Sequence, residues 1–148
     1  MKKREDSAEV KAVVAILKGI GILLTWPFRR IKHQYQVKGQ ARINIAESWQ
    51  KIEELFQLGG ESRFKQAVIE ADKLLDEVLK NRGAFGKTMG ERLIAFKDKF
   101  TSSSYERAWE GHKLRNRIVH ETNIELLHAE ARQALERFRK VLQELRAL

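Results

Sequence analysis

The chain contains no cysteine, so neither a disulfide framework nor a thiolate-ligated metal site is open to it. That agrees with a reducing compartment without requiring one. Proline is almost as scarce: Pro27 is the single residue that breaks helices outright. No alternation of apolar and polar residues runs long enough to make a strand. Ala, Leu, Glu, Lys and Arg dominate instead, all good helix formers, and the chain reads as all-α. No internal repeat or low-complexity tract interrupts that pattern. At 148 residues it suits one domain plus an appendage.

The net charge is +9, and it is unevenly spread. Residues 1–42 hold ten Lys/Arg against three Asp/Glu, while residues 43–148 hold nineteen against seventeen. The excess therefore belongs to the N-terminal segment. A basic chain ordinarily suggests nucleic acid. Here the charge surrounds an apolar stretch, Val10–Phe28, which points first to an anionic membrane surface.

Within that stretch Lys11, Lys18, Thr25 and Lys32 recur every seven residues, so they form one narrow stripe on a helix. A spanning helix needs about 20 predominantly apolar residues, and a lysine near its centre costs about 2.5–3.5 kcal/mol. An in-plane interfacial helix accounts more directly for the stripe and for Trp26. Lys18, Trp26, Arg29, Arg30 and Lys32 are then the expected membrane contacts. The third alternative is a helix buried against the bundle or between subunits. Trp26-Pro27-Phe28-Arg29-Arg30 offers no small-residue cleavage site of a signal peptide. The expected layout is a basic, apolar, membrane-associating helix over 1–38, a linker over 39–43 and a helical bundle over 44–148.

In the bundle, helices are expected near Asn44–Leu58, stopped by Gly59-Gly60, and near Glu61–Asn81. The second carries Ala67, Val68, Ala71, Leu74, Leu75, Val78 and Leu79 at the 3.6-residue period. Gly83 is placed to end it. Three capping boxes, Thr88 with Glu91, Ser103 with Glu106 and Thr122 with Glu125, mark further helix starts. They predict helices near Met89–Phe100, Ser104–Val119 and Asn123–Ala147. Trp49, Phe56, Phe64, Phe96 and Trp109 read as core residues rather than a stacking platform for bases.

The chemistry concentrates in Arg115-Asn116-Arg117-Ile118-Val119-His120. A cation, an amide and an imidazole stand within six residues at the end of a helical segment. Such groups suit binding a phosphodiester and moving a proton beside it. Arg115 and His120 are five apart, about 140° around a helix, whereas His112, Asn116 and His120 share a face. A working site needs a helix that ends near His120 or a second copy across a dimer interface. The same residues also have ordinary roles: a histidine at a helix C-terminus suits the macrodipole, and an arginine pairs with a carboxylate such as Glu121. Gly83-Ala84-Phe85-Gly86-Lys87-Thr88 ends like a phosphate loop, but it lacks the first glycine and a preceding strand. It is expected to be a turn before the Thr88 cap. His33, His112, His120 and His128 lack metal-ligand spacing, and Ser102–Ser104 have no paired base.

Leu114-Arg115-Asn116-Arg117-Ile118-Val119-His120-Glu121, between two long helices near the C-terminus, resembles the signature of HEPN domains. That signature is an arginine, often followed by a polar residue, and a histidine after four to six intervening residues. Ala71–Leu79 and Gly90–Leu93 also resemble small bacterial proteins with this bundle, and the likeness covers about Asn44–Leu148. It implies an antiparallel four- or five-helix bundle that dimerises and uses no cofactor. Many members are metal-independent endoribonucleases, and others are non-catalytic modules that bind a ligand or protein partner. Carried over, Arg115, Asn116 and His120 become the catalytic residues acting on RNA. Arg115 would hold the scissile phosphate, His120 would move the proton of the ribose 2′-hydroxyl, and Asn116 would orient the imidazole or the phosphate.

Overall fold

A computed structural model describes residues 44–148. The expected apolar helix, the linker, and Lys18, Trp26, Arg29, Arg30 and Lys32 lie outside the described residues. Within them are five α-helices and no strand. Helix α1 covers 44–57, α2 Glu61–Asn81, α3 Met89–Ala95, α4 Ser102–His120 and α5 His128–Glu144. A 3₁₀ turn, Lys97–Lys99, joins α3 to α4. No helix among the described residues is long and apolar enough to cross a membrane.

The first two helices follow directly from periodicity. In α1, Ile45, Trp49, Ile52 and Phe56 are buried at spacings that make one stripe. Gly59 and Gly60 end it with φ of 73° and 92°, a conformation that glycine adopts without strain. In α2 all seven expected apolar residues are buried, and Asp72 is buried among them. Gly83, at φ 82°, closes that helix, and its amide donates to the Lys80 carbonyl.

Helices α2, α4 and α5 pack on one another, with α3 laid across α2 and α4. The C-terminus of α2 meets the C-terminus of α5, where Arg82 donates to the Leu145 carbonyl. The N-terminus of α4 meets that same end of α5 through Ser104 and Glu144. Thus α4 runs antiparallel to its two long neighbours. Helix α1 lies along α2, with Ser48, Ile52 and Leu55 beside Glu70, Leu74 and Glu77, and its C-terminus reaches the other end of the bundle, where the Phe56, Phe64 and His128 rings cluster with centroids 4.8–5.3 Å apart. There Arg132 lies 4.2 Å over the Phe56 ring and pairs with Glu53. The fully buried layer includes Phe56, Leu75, Leu79, Leu93, Leu135, Phe138 and Leu142.

Three boundaries differ from expectation, each for a tertiary reason. The Thr88 capping box forms, but α3 stops at Ala95 instead of near Phe100. Beyond it Phe96 and Phe100 meet edge to face, 5.7 Å apart, and start an aromatic row continued by Tyr105 and Trp109. Helix α4 is capped by Thr101, not by Ser103 with Glu106. Glu144 of α5 accepts from the Thr101 amide, the Thr101 hydroxyl and the Ser104 hydroxyl, which fixes the cap there. Finally, the Thr122 box does not form and α5 begins at His128. Ile124 and Leu126 are buried while Glu125 and Leu127 are exposed. That alternation belongs to extended chain, so the link lies along the core instead of coiling. Glu130 then accepts from the Leu127 amide at the new helix start.

Helix α3 is held to α2 by Arg92. Its Nε and Nη2 donate to the two Asp76 oxygens at 2.5 and 2.9 Å, and Nη1 donates to the Gly86 carbonyl at 2.5 Å. Burial pushes the Asp76 carboxyl up, but hydrogen bonds and charge from Arg92 and Lys80 outweigh it and hold it below the ordinary aspartate range. A depressed carboxylate contributes stability above its unfolded-state value, and that stability is lost as pH falls through its folded value. Asp76→Asn is therefore expected to cost about 1–3 kcal/mol at pH 7, the range for hydrogen bonds to a charged group discounted for partial exposure. The gap from the parent should close on acidification below about pH 4, as read by urea titrations at several pH values. A second test concerns the α4–α5 contact. A Cβ at Gly111 would sit 2.6 Å from the Phe138 ring, whose side chain is fully buried. Gly111→Ala should destabilise by about 1–3 kcal/mol, despite its better helix propensity, in the same titrations.

Candidate functional site

The buried acid of α2 organises the site. Val68, Leu75 and Leu79 share a stripe with Asp72, and a carboxylate in that position must find donors or be strongly unfavourable. Helix α4 supplies them. His112 Nδ1 lies 2.9 Å from Asp72 Oδ1. One turn on, Asn116 Nδ2 lies 3.2 Å from His112 Nε2. Asn116 Oδ1 in turn accepts from Arg115 Nη1 at 3.0 Å. Arg115 Nε stands 3.6 Å from Asp72 Oδ2, and this closes a ring of four side chains. At that length the last link is an ion pair and not a hydrogen bond; the Arg115 Nε is buried with no hydrogen-bond partner.

The ring forms one wall of an open cavity of about 600 Å³ between α2, α3 and α4. Met89, Gly90 and Trp109 give it an apolar side, and Lys73, Lys87, Arg92 and Arg115 give it cations beside Asp72 and Asp76. The Trp109 ring meets His112 edge to face at 5.9 Å. Asp72 and His112 are almost wholly buried, at 4 % and 8 % exposure, whereas the Arg115 side chain keeps 27 %.

Of the residues singled out in the sequence, Arg115 and Asn116 are brought together by a direct hydrogen bond. His120 is the last residue of α4 and is exposed. No hydrogen bond or ion pair among the described residues joins it to Arg115 or Asn116. Glu121, the expected carboxylate for an arginine, pairs with Arg117 at 3.4 Å, and Arg115 takes Asp72 instead. Asp72 was not among the residues singled out, and its one signal in the sequence is an acid on an apolar stripe. His112 shares the Asn116 face of α4, and that spacing alone does not show its contact with Asp72.

Other motifs resolve simply. Gly83–Thr88 links α2 to α3, with Thr88 capping Glu91. Trp49 and Phe56 are buried, and Phe64, Phe96 and Trp109 pack against the core. Among the described residues no group of His, Asp and Glu is arranged to hold a metal ion. The arrangement offers a fixed guanidinium on a cavity wall and a free imidazole at the end of the same helix. Compared with family models, curated proteins and solved structures, the chain matches none of them.

Proposed function

We propose that the bundle is a metal-independent endoribonuclease of the HEPN kind. It acts as a homodimer and is held at an anionic membrane surface by its basic, apolar N-terminal segment. The observation that carries the nuclease reading is the pairing of Arg115 with Asn116 and Asp72 on a cavity wall, five residues before an exposed histidine that ends the helix. Arg115 binds the non-bridging oxygens of the scissile phosphate, where charge grows as the ribose 2′-oxygen attacks phosphorus. His120 takes the 2′-hydroxyl proton. The phosphorus–O5′ bond breaks, the 5′-oxygen gains a proton from water, and a 2′,3′-cyclic phosphate remains. Asn116, engaged at both ends of its amide, orients Arg115 rather than the RNA.

A second reading is favoured by one observation. Arg115 is already paired with Asp72, which suits a non-catalytic, membrane-tethered module for a protein partner or small ligand. RNA cleavage by the full chain in EDTA separates the two. The nuclease requires cleavage that falls about 10²–10⁴-fold in Arg115→Ala and His120→Ala with unchanged circular dichroism. Arg115→Lys should fail similarly, because a point charge does not reproduce a planar fork. Absence of cleavage by the folded parent, or full activity in both alanine variants, sinks the nuclease. Flotation with anionic vesicles tests the tether: the chain should float at low salt and release as salt rises. Equal flotation with neutral vesicles would count against an electrostatic anchor.

A further inference from the structure

We propose that Asp72 and His112 are positioning residues: they hold the His112 ring as its Nδ1–H tautomer, which fixes the Asn116 amide and through it the Arg115 guanidinium. The functional consequence rests on Arg115 binding phosphate, but the geometry does not.

The ring of side chains has two ends whose hydrogen-bonding sense cannot change. A carboxylate only accepts and a guanidinium only donates. Asp72 Oδ1 faces His112 Nδ1, so Nδ1 carries a proton and donates it. Arg115 Nη1 faces the Asn116 side chain, so the amide must turn its oxygen there. The amide nitrogen then necessarily faces His112 Nε2 at 3.2 Å, and Nε2 must accept. Every proton around the ring is thereby determined, and the imidazole is neutral. Turning the Asn116 amide over would set its NH₂ against Arg115 and demand a proton on Nε2. The amide, the tautomer and the seat of Arg115 therefore change together or not at all.

The surroundings favour this state. Asp72 from α2 is bonded to the imidazole directly, and Arg115 from α4 is linked to it only through Asn116 and Asp72. Lys73 and Asp76 of α2, Lys87 of the α2–α3 link and Arg92 of α3 line the same cavity. Asp76 is held by Arg92 and Lys80, so it does not compete for the imidazole. On the α5 side, Gly111 beside His112 packs against the Phe138 ring. Trp109 closes the ring's edge. A histidine so enclosed takes its tautomer from its partners rather than from water.

The test is long-range ¹H–¹⁵N correlation of the imidazoles in the ¹⁵N-labelled full chain without RNA, with His112→Gln identifying the signal. The expected spectrum has a protonated Nδ1 and a bare, pyridine-like Nε2. A ring protonated on Nε2 in the parent overturns the proposal. In Asn116→Asp the imidazole faces an acceptor on both sides, so Nε2 should become protonated at the same pH. In Asn116→Ala the Arg115 Nε–H should exchange with solvent about tenfold faster, having lost the hydrogen bond that seats its guanidinium. A bare Nε2 in the aspartate variant, or unchanged exchange in the alanine variant, also overturns it. Cleavage assays beside these spectra keep the two ideas apart. Inactivity with the expected tautomer removes the nuclease and leaves the positioning network; activity with the opposite tautomer does the reverse.

Discussion

A carboxylate placed on the apolar stripe of a helix must be met by donors, and Asp72 is met from α4 by His112 and Arg115. Leaving it unmet would cost several kcal/mol in a bundle of this size. The pairing therefore constrains how α4 lies on α2: His112 and Arg115 must both turn inward, and Asn116 follows because it sits one turn from His112. Hydrophobic contact alone is non-directional and would tolerate small rotations of α4. The polar ring does not. The side of α4 that bears the arginine is set by an acid forty residues earlier in the chain.

The two arginines of the cavity, Arg92 buried and Arg115 partly exposed, show what such a constraint can and cannot mean for function. Arg92 is saturated: three of its nitrogens donate, two to Asp76 and one to the Gly86 carbonyl. A phosphate arriving there would have to displace a bidentate partner of the strongest kind. Arg115 makes a single hydrogen bond, to a neutral amide, and its Nε approaches Asp72 without bonding it. Its charge is balanced while most of its donors stay uncommitted. Of the two, Arg115 is the one that can take an anion without first giving up a good partner, and this supports the proposed assignment better than sequence spacing does.

Local signals made the helices legible in the sequence, and tertiary contacts decided where that legibility ended. Helix α2 was readable to the residue, because its period, the preceding Gly-Gly and the following Gly83 all agree. The Thr88 box was readable because both partners lie in one turn. The Ser103 and Thr122 boxes were equally good locally and did not form. Glu144, forty residues away, claimed the start of α4, and burial of Ile124 and Leu126 drew the next segment out straight. The site divided the same way. Arg115 and Asn116 were visible as neighbours on one helix. Asp72 was not, since an acid within an apolar period is also what a partly exposed helix face looks like until its partner helix is placed.

The same logic bears on how a nearly neutral bundle could act on RNA. Residues 43–148 carry nineteen Lys/Arg against seventeen Asp/Glu, so general attraction to a phosphate backbone is weak. Binding would have to come from a few groups held in place before RNA arrives, since ordering a long side chain at the moment of binding costs free energy. The ring from Asp72 to Arg115 is such an arrangement: its acid and histidine are buried, its arginine half-exposed. An enzyme built this way gains little from added surface charge and loses much from a misplaced amide. His120, exposed at the end of α4, has no such network behind it, so of the two residues that the proposed reaction needs only Arg115 is seated in advance.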